Sequence, residues 1–395
     1  MIPGHILAIA AFLAIPALAG GGSNKFPFTV ANNRDRIDFC LVVMAKSVYT
    51  GPFKYIRFIP TSGTVIFKDK KTSTTEIKLN DKCDPQIINL PNGLNIGVVP
   101  YYFPDNPPEL ERRWRDEHAF EREVRSMKLS SHKPRTHLVN LIVTFRLKNH
   151  YYLVFPWAEG NFWDFAQTYE FGPHPTSDIQ QRVWARLLAI QIHDIASGIQ
   201  AIHVIRLSTT TEIYGRHGDI KPKNILCTGI NAITRTYYGT YQASEFETIG
   251  KTSQVSGIWA LGCIYLEITT WYLGYKEAYD GFSDALLTQS SFVDQLSEDT
   301  FYHIVKTPYY GIRAVIKEEV IEWVDRLHYH PQCTAYVQDL LDFVMNHMPV
   351  VDEDPSKRAN NNPAVSQLQG MLEKCFDGQA YCLPPDASRP WVRAA

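Results

Sequence analysis

His217-Gly218-Asp219-Ile220-Lys221-Pro222-Lys223-Asn224-Ile225-Leu226 is the stretch on which the reading of this chain turns. A carboxylate, Asp219, is followed two residues later by an ammonium, Lys221, and five residues later by an amide, Asn224. Those three groups have complementary chemistry. The carboxylate can take the proton of an attacking hydroxyl, the ammonium can neutralise a phosphoryl group in transfer, and the amide oxygen can hold a divalent cation that bridges phosphates. The spacing puts all three on one tight loop after a helix that ends near His203, and Ile225-Leu226 opens a buried strand that fixes the loop. The bland alternative is a surface turn in which Asp219 and Asn224 cap local backbone.

Working outward, other stretches fall in a definite order. Phe120-Glu121-Arg122-Glu123-Val124 comes first, then Tyr151-Tyr152-Leu153-Val154-Phe155-Pro156-Trp157-Ala158. After the loop come Tyr241-Gln242-Ala243-Ser244-Glu245-Phe246, Ser256-Gly257-Ile258-Trp259-Ala260-Leu261-Gly262-Cys263, and Asp354-Pro355-Ser356-Lys357-Arg358. Taken with the loop, these resemble the landmarks of eukaryotic-type Ser/Thr protein kinases, especially the kinase-like proteins of filamentous fungi, over residues 98–375. The resemblance implies a two-lobed α+β fold with a β-rich small lobe and a mainly helical large lobe. It implies Asp219 as catalytic base, Lys221 as the lysine on phosphate and Asn224 as metal ligand. It also implies a structural role for His217 and a Glu245–Arg358 pair that braces the activation segment. Phe155 and Trp157 fall at the hinge and Glu123 on the regulatory helix, all on the nucleotide-binding side. ATP and Mg2+ are the implied cofactors, and a protein the implied substrate or partner.

The departures from the family pattern decide what chemistry is expected. A metal-binding Asp-Phe-Gly should follow the loop, yet Cys227-Thr228-Gly229-Ile230-Asn231-Ala232-Ile233-Thr234-Arg235-Thr236 holds no Asp, and the interval to Tyr241 is too short for that motif plus an activation loop. The strand Val98–Phe103, where the small-lobe lysine should stand, offers Pro100, Tyr101 and Tyr102 and no cation. Ser62-Gly63-Thr64-Val65 and Asn92-Gly93-Leu94-Asn95-Ile96-Gly97 are the nearest approaches to a phosphate-cradling glycine loop, and both also read as plain turns. Ser244 replaces the usual proline, Gly218 replaces the loop arginine, and Gly257 replaces the aspartate that anchors the loop from the core helix. Phosphoryl transfer rests on positioning and charge stabilisation, and each lost electrostatic group costs about 3 kcal/mol of barrier. The expectation is a catalytically impaired kinase domain acting as a binding or scaffolding module, with weak hold on ATP and Mg2+. Two alternatives stay open: an active Ser/Thr kinase whose sequence here lacks a segment, and a small-molecule phosphotransferase, since those also show His-Gly-Asp with an Asn five residues after the Asp.

Composition sets the outer bounds. The chain has 395 residues, is 45% hydrophobic and carries a formal net charge of −2, enough for one two-lobed domain and without the excess of basic residues that marks a nucleic-acid binder. Seven cysteines, Cys40, Cys83, Cys227, Cys263, Cys333, Cys375 and Cys382, show no C-x-x-C spacing and read as buried, inert thiols of a reducing compartment, cytoplasmic or nuclear. The apolar run Ile6–Ala19, followed by Gly20-Gly21-Gly22, resembles a secretory signal but lacks Lys or Arg ahead of it and is short for a membrane span. A cleaved signal, a membrane-proximal anchor and an extension with no address function all fit it. A secreted or membrane-associated protein is therefore the alternative location, and residues 6–19 the one route to a membrane.

The periodicities predict four parts: an extension over 1–24, a β-rich small lobe over 25–157, a helical large lobe over 158–378 and a tail over 379–395. Strands are expected at Tyr55–Ile59, Thr64–Phe67, Val139–Phe145 and Tyr151–Phe155, the last two joined by Lys148-Asn149-His150. Helices are expected at Trp114–Leu129, in a stretch ending near His203, at Gly257–Tyr272, at Glu318–Leu327 and at Val337–His347. His193 and His203 read as packed histidines, and His328 and His330 as turn residues. Trp157 and Trp163 read as packing under the hinge.

Overall fold

The computed structural model describes residues 7–9, 53–59, 64–69, 74–78, 86–89, 95–100, 124, 138, 143–147, 150–156, 160–168, 177–206, 212–227, 240–245, 248, 253–289, 297–307, 311–349, 351 and 361–385. The fold is α+β; among the described residues every strand pair is antiparallel and the long helices lie in the later part of the chain. It divides into two compact units. One holds residues 10–158 and 205–215, the other residues 1–9, 159–204 and 216–395.

The first unit is built of strands β2 (Phe53–Ile59), β3 (Thr64–Asp69) and β4 (Thr74–Lys78) in one sheet. A second sheet runs in the order β5 (Gln86–Asn89), β6 (Asn95–Pro100), β8 (His150–Pro156), β7 (Val143–Leu147). The β7–β8 turn is tighter than the sequence suggested: Leu147 pairs with His150, leaving Lys148-Asn149 as a two-residue connection. Phe155 pairs with Gly97, and Pro100 closes β6 opposite Tyr152, an end position where its missing N–H costs little. Val124 is helical and buried; the remaining residues of the stretch Trp114–Leu129, where a helix is expected, lie outside the described residues.

The second unit has a helical core. α1 (Phe162–Thr168) is followed by α2 (Asp178–His203), α3 (Gln254–Leu286), α4 (Glu318–His328), α5 (Ala335–His347) and α6 (Asn361–Asp377). α2 starts where the Ser177 hydroxyl accepts the Gln180 N–H at 3.3 Å. Its stripe Leu188, Ile192, Ile195, Ile199, Ile202 is buried, and each such side chain stabilises by about 1.5–3 kcal/mol. α3 begins on a Ser253/Ser256 capping box and is buried continuously from Ile258 to Leu273. A kink follows at Tyr275, whose φ of 54 is left-handed, so α3 runs beyond the expected Gly257–Tyr272 as two helical pieces. The Tyr265 hydroxyl donates to the Ile192 carbonyl at 2.6 Å and ties α3 to α2. α1 is held to α3 by aromatic packing, with Phe165 and Trp271 rings 4.7 Å apart.

Short strands complete this unit, where β13 (Thr288–Gln289) pairs with β14 (Ser297–Glu298), as β10 (Ile205–Arg206) pairs with β11 (Glu212–Ile213) in the chain before it. β1 (Leu7–Ile9), β12 (Ile225–Cys227) and β9 (Gly160–Asn161) form one sheet, so the segment read as an extension contributes a strand beside the loop strand. A hairpin of β15 (Tyr302–Thr307) and β16 (Gly311–Ile316), not anticipated from the sequence, precedes α4. Between them and α4 sits Lys317, fully buried, whose ammonium donates to the Leu286 carbonyl at 2.6 Å and the Glu298 carbonyl at 2.9 Å. Among the described residues, no helix is long and apolar enough to cross a membrane.

Candidate functional site

The loop between α2 and β12 assembles the three groups singled out by the sequence. Lys221 Nζ lies 2.9 Å from Asp219 Oδ2. The Asn224 amide donates to both the Asp219 carbonyl, at 2.7 Å, and Asp219 Oδ2, at 2.8 Å. Asn224 thus spends its nitrogen inside the loop, which leaves its oxygen as the atom able to accept or ligate. Asp219 is exposed while Lys221 is buried, so the pair presents a carboxylate outward from an anchored ammonium.

Local sequence explains this geometry. Pro222 occupies the first position of a single 3-10 turn, Pro222–Asn224, where a missing N–H costs nothing. The turn closes with the Asn224 N–H on the Lys221 carbonyl at 2.9 Å. Gly218 has φ of 81, a left-handed conformation that suits glycine and strains any other residue. A glycine at position 218 is therefore a backbone requirement of this loop. His217 is buried, and the Asp219 N–H donates to its Nδ1 at 3.3 Å, which assigns the imidazole proton to Nε2.

Beneath the loop lies an arrangement that sequence reasoning missed. A Cβ placed on Gly257 of α3 would meet Ile220 Cδ1 at 3.4 Å and His203 Nε2 at 3.5 Å. Gly257 is thus faced by the last residue of α2 and by a loop side chain. His203 is held in place by the Gln254 amide, which donates to its carbonyl at 2.7 Å. Burial first, then the neighbouring His217, depress its pKa from 6.5 to about 4, so this histidine is neutral at physiological pH.

Two further groups flank the loop. Lys223 Nζ sits 4.6 Å above the Trp163 ring, and its pKa is lowered by desolvation and by Lys221, against the pull of Asp164. Asp164 is buried and bonded to Asn161, whose amide donates at 2.6 Å. Trp163, read as hinge packing, is in contact with the candidate loop instead.

Tyr241 and Glu245 also meet α3. Glu245 is buried and accepts from the Ser256 hydroxyl at 2.6 Å. The Tyr241 hydroxyl donates to Glu267 Oε1 at 2.6 Å, and the Tyr279 hydroxyl to Glu267 Oε2 at 3.1 Å. Burial raises the Glu267 pKa from 4.5 to about 7, against the pull of both tyrosine hydrogen bonds. Glu267 is the one carboxylate in the buried run Ile258–Leu273.

Arg358, Trp157 and Glu123 lie outside the described residues, and of Phe155 only the backbone is described. Of the histidines, His203 is packed as expected. His193 is half-buried against Asp194 at 2.7 Å, and His328 ends α4 on Gln338 and not in a turn. The Gln332 N–H donates to His330 Nδ1 at 3.2 Å within the turn after α4. No family model matches the chain, and no curated protein matches it significantly.

Proposed function

We propose that this chain is a degenerate protein-kinase-like domain of two-lobed design that works as a protein-binding or scaffolding module and transfers phosphate poorly. The observation that carries the reading is the closed Asp219–Lys221–Asn224 loop, set between a buried helix and a short strand with α3 beneath it. The joining of Tyr241 and Glu245 to α3 adds support, because both stand where the kinase resemblance has the end of the activation segment.

The impaired chemistry rests on the donor set. Magnesium asks for a near-octahedral shell of oxygens. The loop offers the Asn224 amide oxygen and an Asp219 carboxylate already engaged by an ammonium and an amide. Among the described residues no group of three or more His, Cys, Asp or Glu side chains converges as a metal site. Two such donors, one of them already engaged, make a weak hold on a magnesium nucleotide. Asp219 and Lys221 retain the means to bind a hydroxyl and an anion, which suits recognition of a polar group on a protein partner.

Thermal melting of the purified chain with ATP, in the presence and absence of Mg2+, tests the reading. A ligand held by the folded state alone must raise the melting temperature. The expected result is no magnesium-dependent rise. A large rise, with autophosphorylation abolished in Asp219→Ala, identifies an active kinase. Phosphorylation of a sugar or amine but not of peptides identifies a small-molecule phosphotransferase.

A further inference from the structure

The groove between α5 and α6 is lined by two carboxylates of α5, Asp339 and Asp342, three residues apart on one helix face. Its volume is about 520 Å³, within the size range of small-molecule sites. Phe343 of α5 and Met371 of α6, both buried, give it an apolar floor. Gly370 keeps it open, since a Cβ placed there would meet no atom within 4 Å. The two carboxylates are placed differently. Asp339 accepts from the Tyr381 hydroxyl at 2.6 Å and lies 3.3 Å from the Lys374 ammonium. Among the described residues no Lys or Arg pairs with Asp342, whose Oδ1 is faced instead by His328 Nε2 at 3.4 Å. The hydrogen bonds of His328 decide what that ring can give. His328 is only 9% exposed. The Gln338 amide nitrogen donates to the His328 carbonyl at 2.8 Å, which turns the Gln338 oxygen to the ring, where it bonds Nδ1. An amide oxygen only accepts, so Nδ1 carries the ring proton. Nε2 is then a buried lone pair with no hydrogen bond of its own. It points at another acceptor and offers Asp342 no proton. The charge of Asp342 is left to be met from the groove.

We propose that this groove binds a small organic cation, a primary ammonium or guanidinium on a short alkyl chain, with its charged head on Asp342 and its chain over Phe343 and Met371. A charged N–H group on a carboxylate makes one of the stronger classes of hydrogen bond. The Asn346 side chain, one helical turn beyond Asp342, stands on the same wall and can take a further donor. Lys374 already offsets Asp339, so one positive charge balances the groove. A metal ion is the poorer occupant, because among the described residues no three His, Cys, Asp or Glu side chains converge. The groove shares no residue with the Asp219 loop and does not depend on what that loop does.

The test titrates agmatine, which carries a guanidinium and a primary ammonium on one butyl chain, into the purified whole chain at neutral pH by calorimetry. One saturable site is expected. Asp342→Asn should weaken binding about tenfold or more, as loss of a charge-assisted hydrogen bond does. Gly370→Leu, which fills the open space above α6, should abolish it. Glu373→Gln, exposed on α6 and outside the groove, should leave it unchanged. Butanol, with the same chain and no charge, should not compete. Nitrogen-15 shifts of the free chain should show the His328 proton on Nδ1 alone. If one variant does not fold, the other and the ring shifts decide. No saturable binding, unchanged affinity in Asp342→Asn or in Gly370→Leu, or a His328 ring protonated on both nitrogens in the free chain, which would pair it with Asp342, each overturns the proposal.

Discussion

Two buried titratable nodes meet the same helix, α3, and they are built in opposite ways. At the start of α3, Gly257 makes room by having no side chain, and His203 faces it, kept neutral with a pKa of about 4. Ten residues on, about 15 Å along the axis, Glu267 inserts a carboxyl into the apolar core, where burial raises its pKa to about 7 against the pull of two tyrosine hydrogen bonds. One node supports the candidate loop from below. The other holds the segment that ends at Glu245. Between about pH 4 and 7 both keep charge out of the interior, one by refusing a proton and the other by retaining it. The first is written as an absence in the sequence and the second as a presence.

The largest effect is expected from emptying the second node. Glu267→Ala leaves the Tyr241 and Tyr279 hydroxyls facing a void, and each stranded buried donor costs about 1–3 kcal/mol. Urea unfolding should show a loss of about 4 kcal/mol. Tyr241→Phe in the Glu267→Ala background should then cost almost nothing more, because its partner is already gone. A full additional loss would mean that the contact is incidental.

The next effect separates the nodes by pH. The unfolded chain accepts a proton on His203 that the folded chain refuses, so this node's stability is complete above pH 6.5 and drains away as pH falls towards about 4. Glu267 behaves in reverse: the folded chain keeps a proton that the unfolded chain gives up, so its contribution is complete below pH 4.5 and is lost as pH rises through about 7. At 1.36 kcal/mol per pKa unit each swing is about 3 kcal/mol. Between pH 4.5 and 6.5 the slopes oppose and nearly cancel. Melting temperatures across that interval should show Glu267→Gln weakening towards acid and His203→Gln strengthening towards acid, each relative to wild type. Parallel curves for the two variants would break the contrast.

Neither node was fully legible in the sequence, and the reasons differ. The 3.6-residue stripes of α2, α4 and α5 announce themselves, and their observed ends fall within two residues of the expected ones wherever an end was named. The Asp219–Lys221–Asn224 set was legible because all three groups sit on one local turn. The β15–β16 hairpin was not: burial of Tyr302, Ile304 and Ala314 comes from tertiary packing, with polar and apolar residues mixed along both strands. Glu267 was masked by the apolar run around it. The Gly257–His203 contact joins positions far apart in the chain, and no local pattern reports that a missing side chain is matched by a distant ring.

A smaller effect concerns the glycine of the loop itself. Restoring the arginine usual in the kinase pattern, Gly218→Arg, forces a branched backbone into φ of 81. The cost should be about 1–2 kcal/mol in chemical denaturation. No gain in ATP response should accompany it, because the strain lies in the backbone that carries Asp219. A neutral or stabilising result would mean that the loop relaxes to a different turn.

The smallest expected change is the sharpest probe of the first node. On Gly257 an added methyl would stand 3.4 Å from Ile220 Cδ1 and 3.5 Å from His203 Nε2, ordinary contact distances. On Gly262, one and a half turns along the same helix, it would stand 2.7 Å from Met348 Cβ and 2.9 Å from Pro349 Cδ, closer than atoms pack. Gly257→Ala therefore keeps the helix-propensity gain and should stabilise by about 0.5–1 kcal/mol. Gly262→Ala has the same propensity gain but overpacks the core, for a net loss of about 1–3 kcal/mol. Opposite signs from one substitution on one helix would show that Gly257 is kept for what faces it and not for close helix packing. A loss at Gly257 as large as at Gly262 would mean that His203 sits tighter against α3 than these distances allow, and the first node would then be a packing seam.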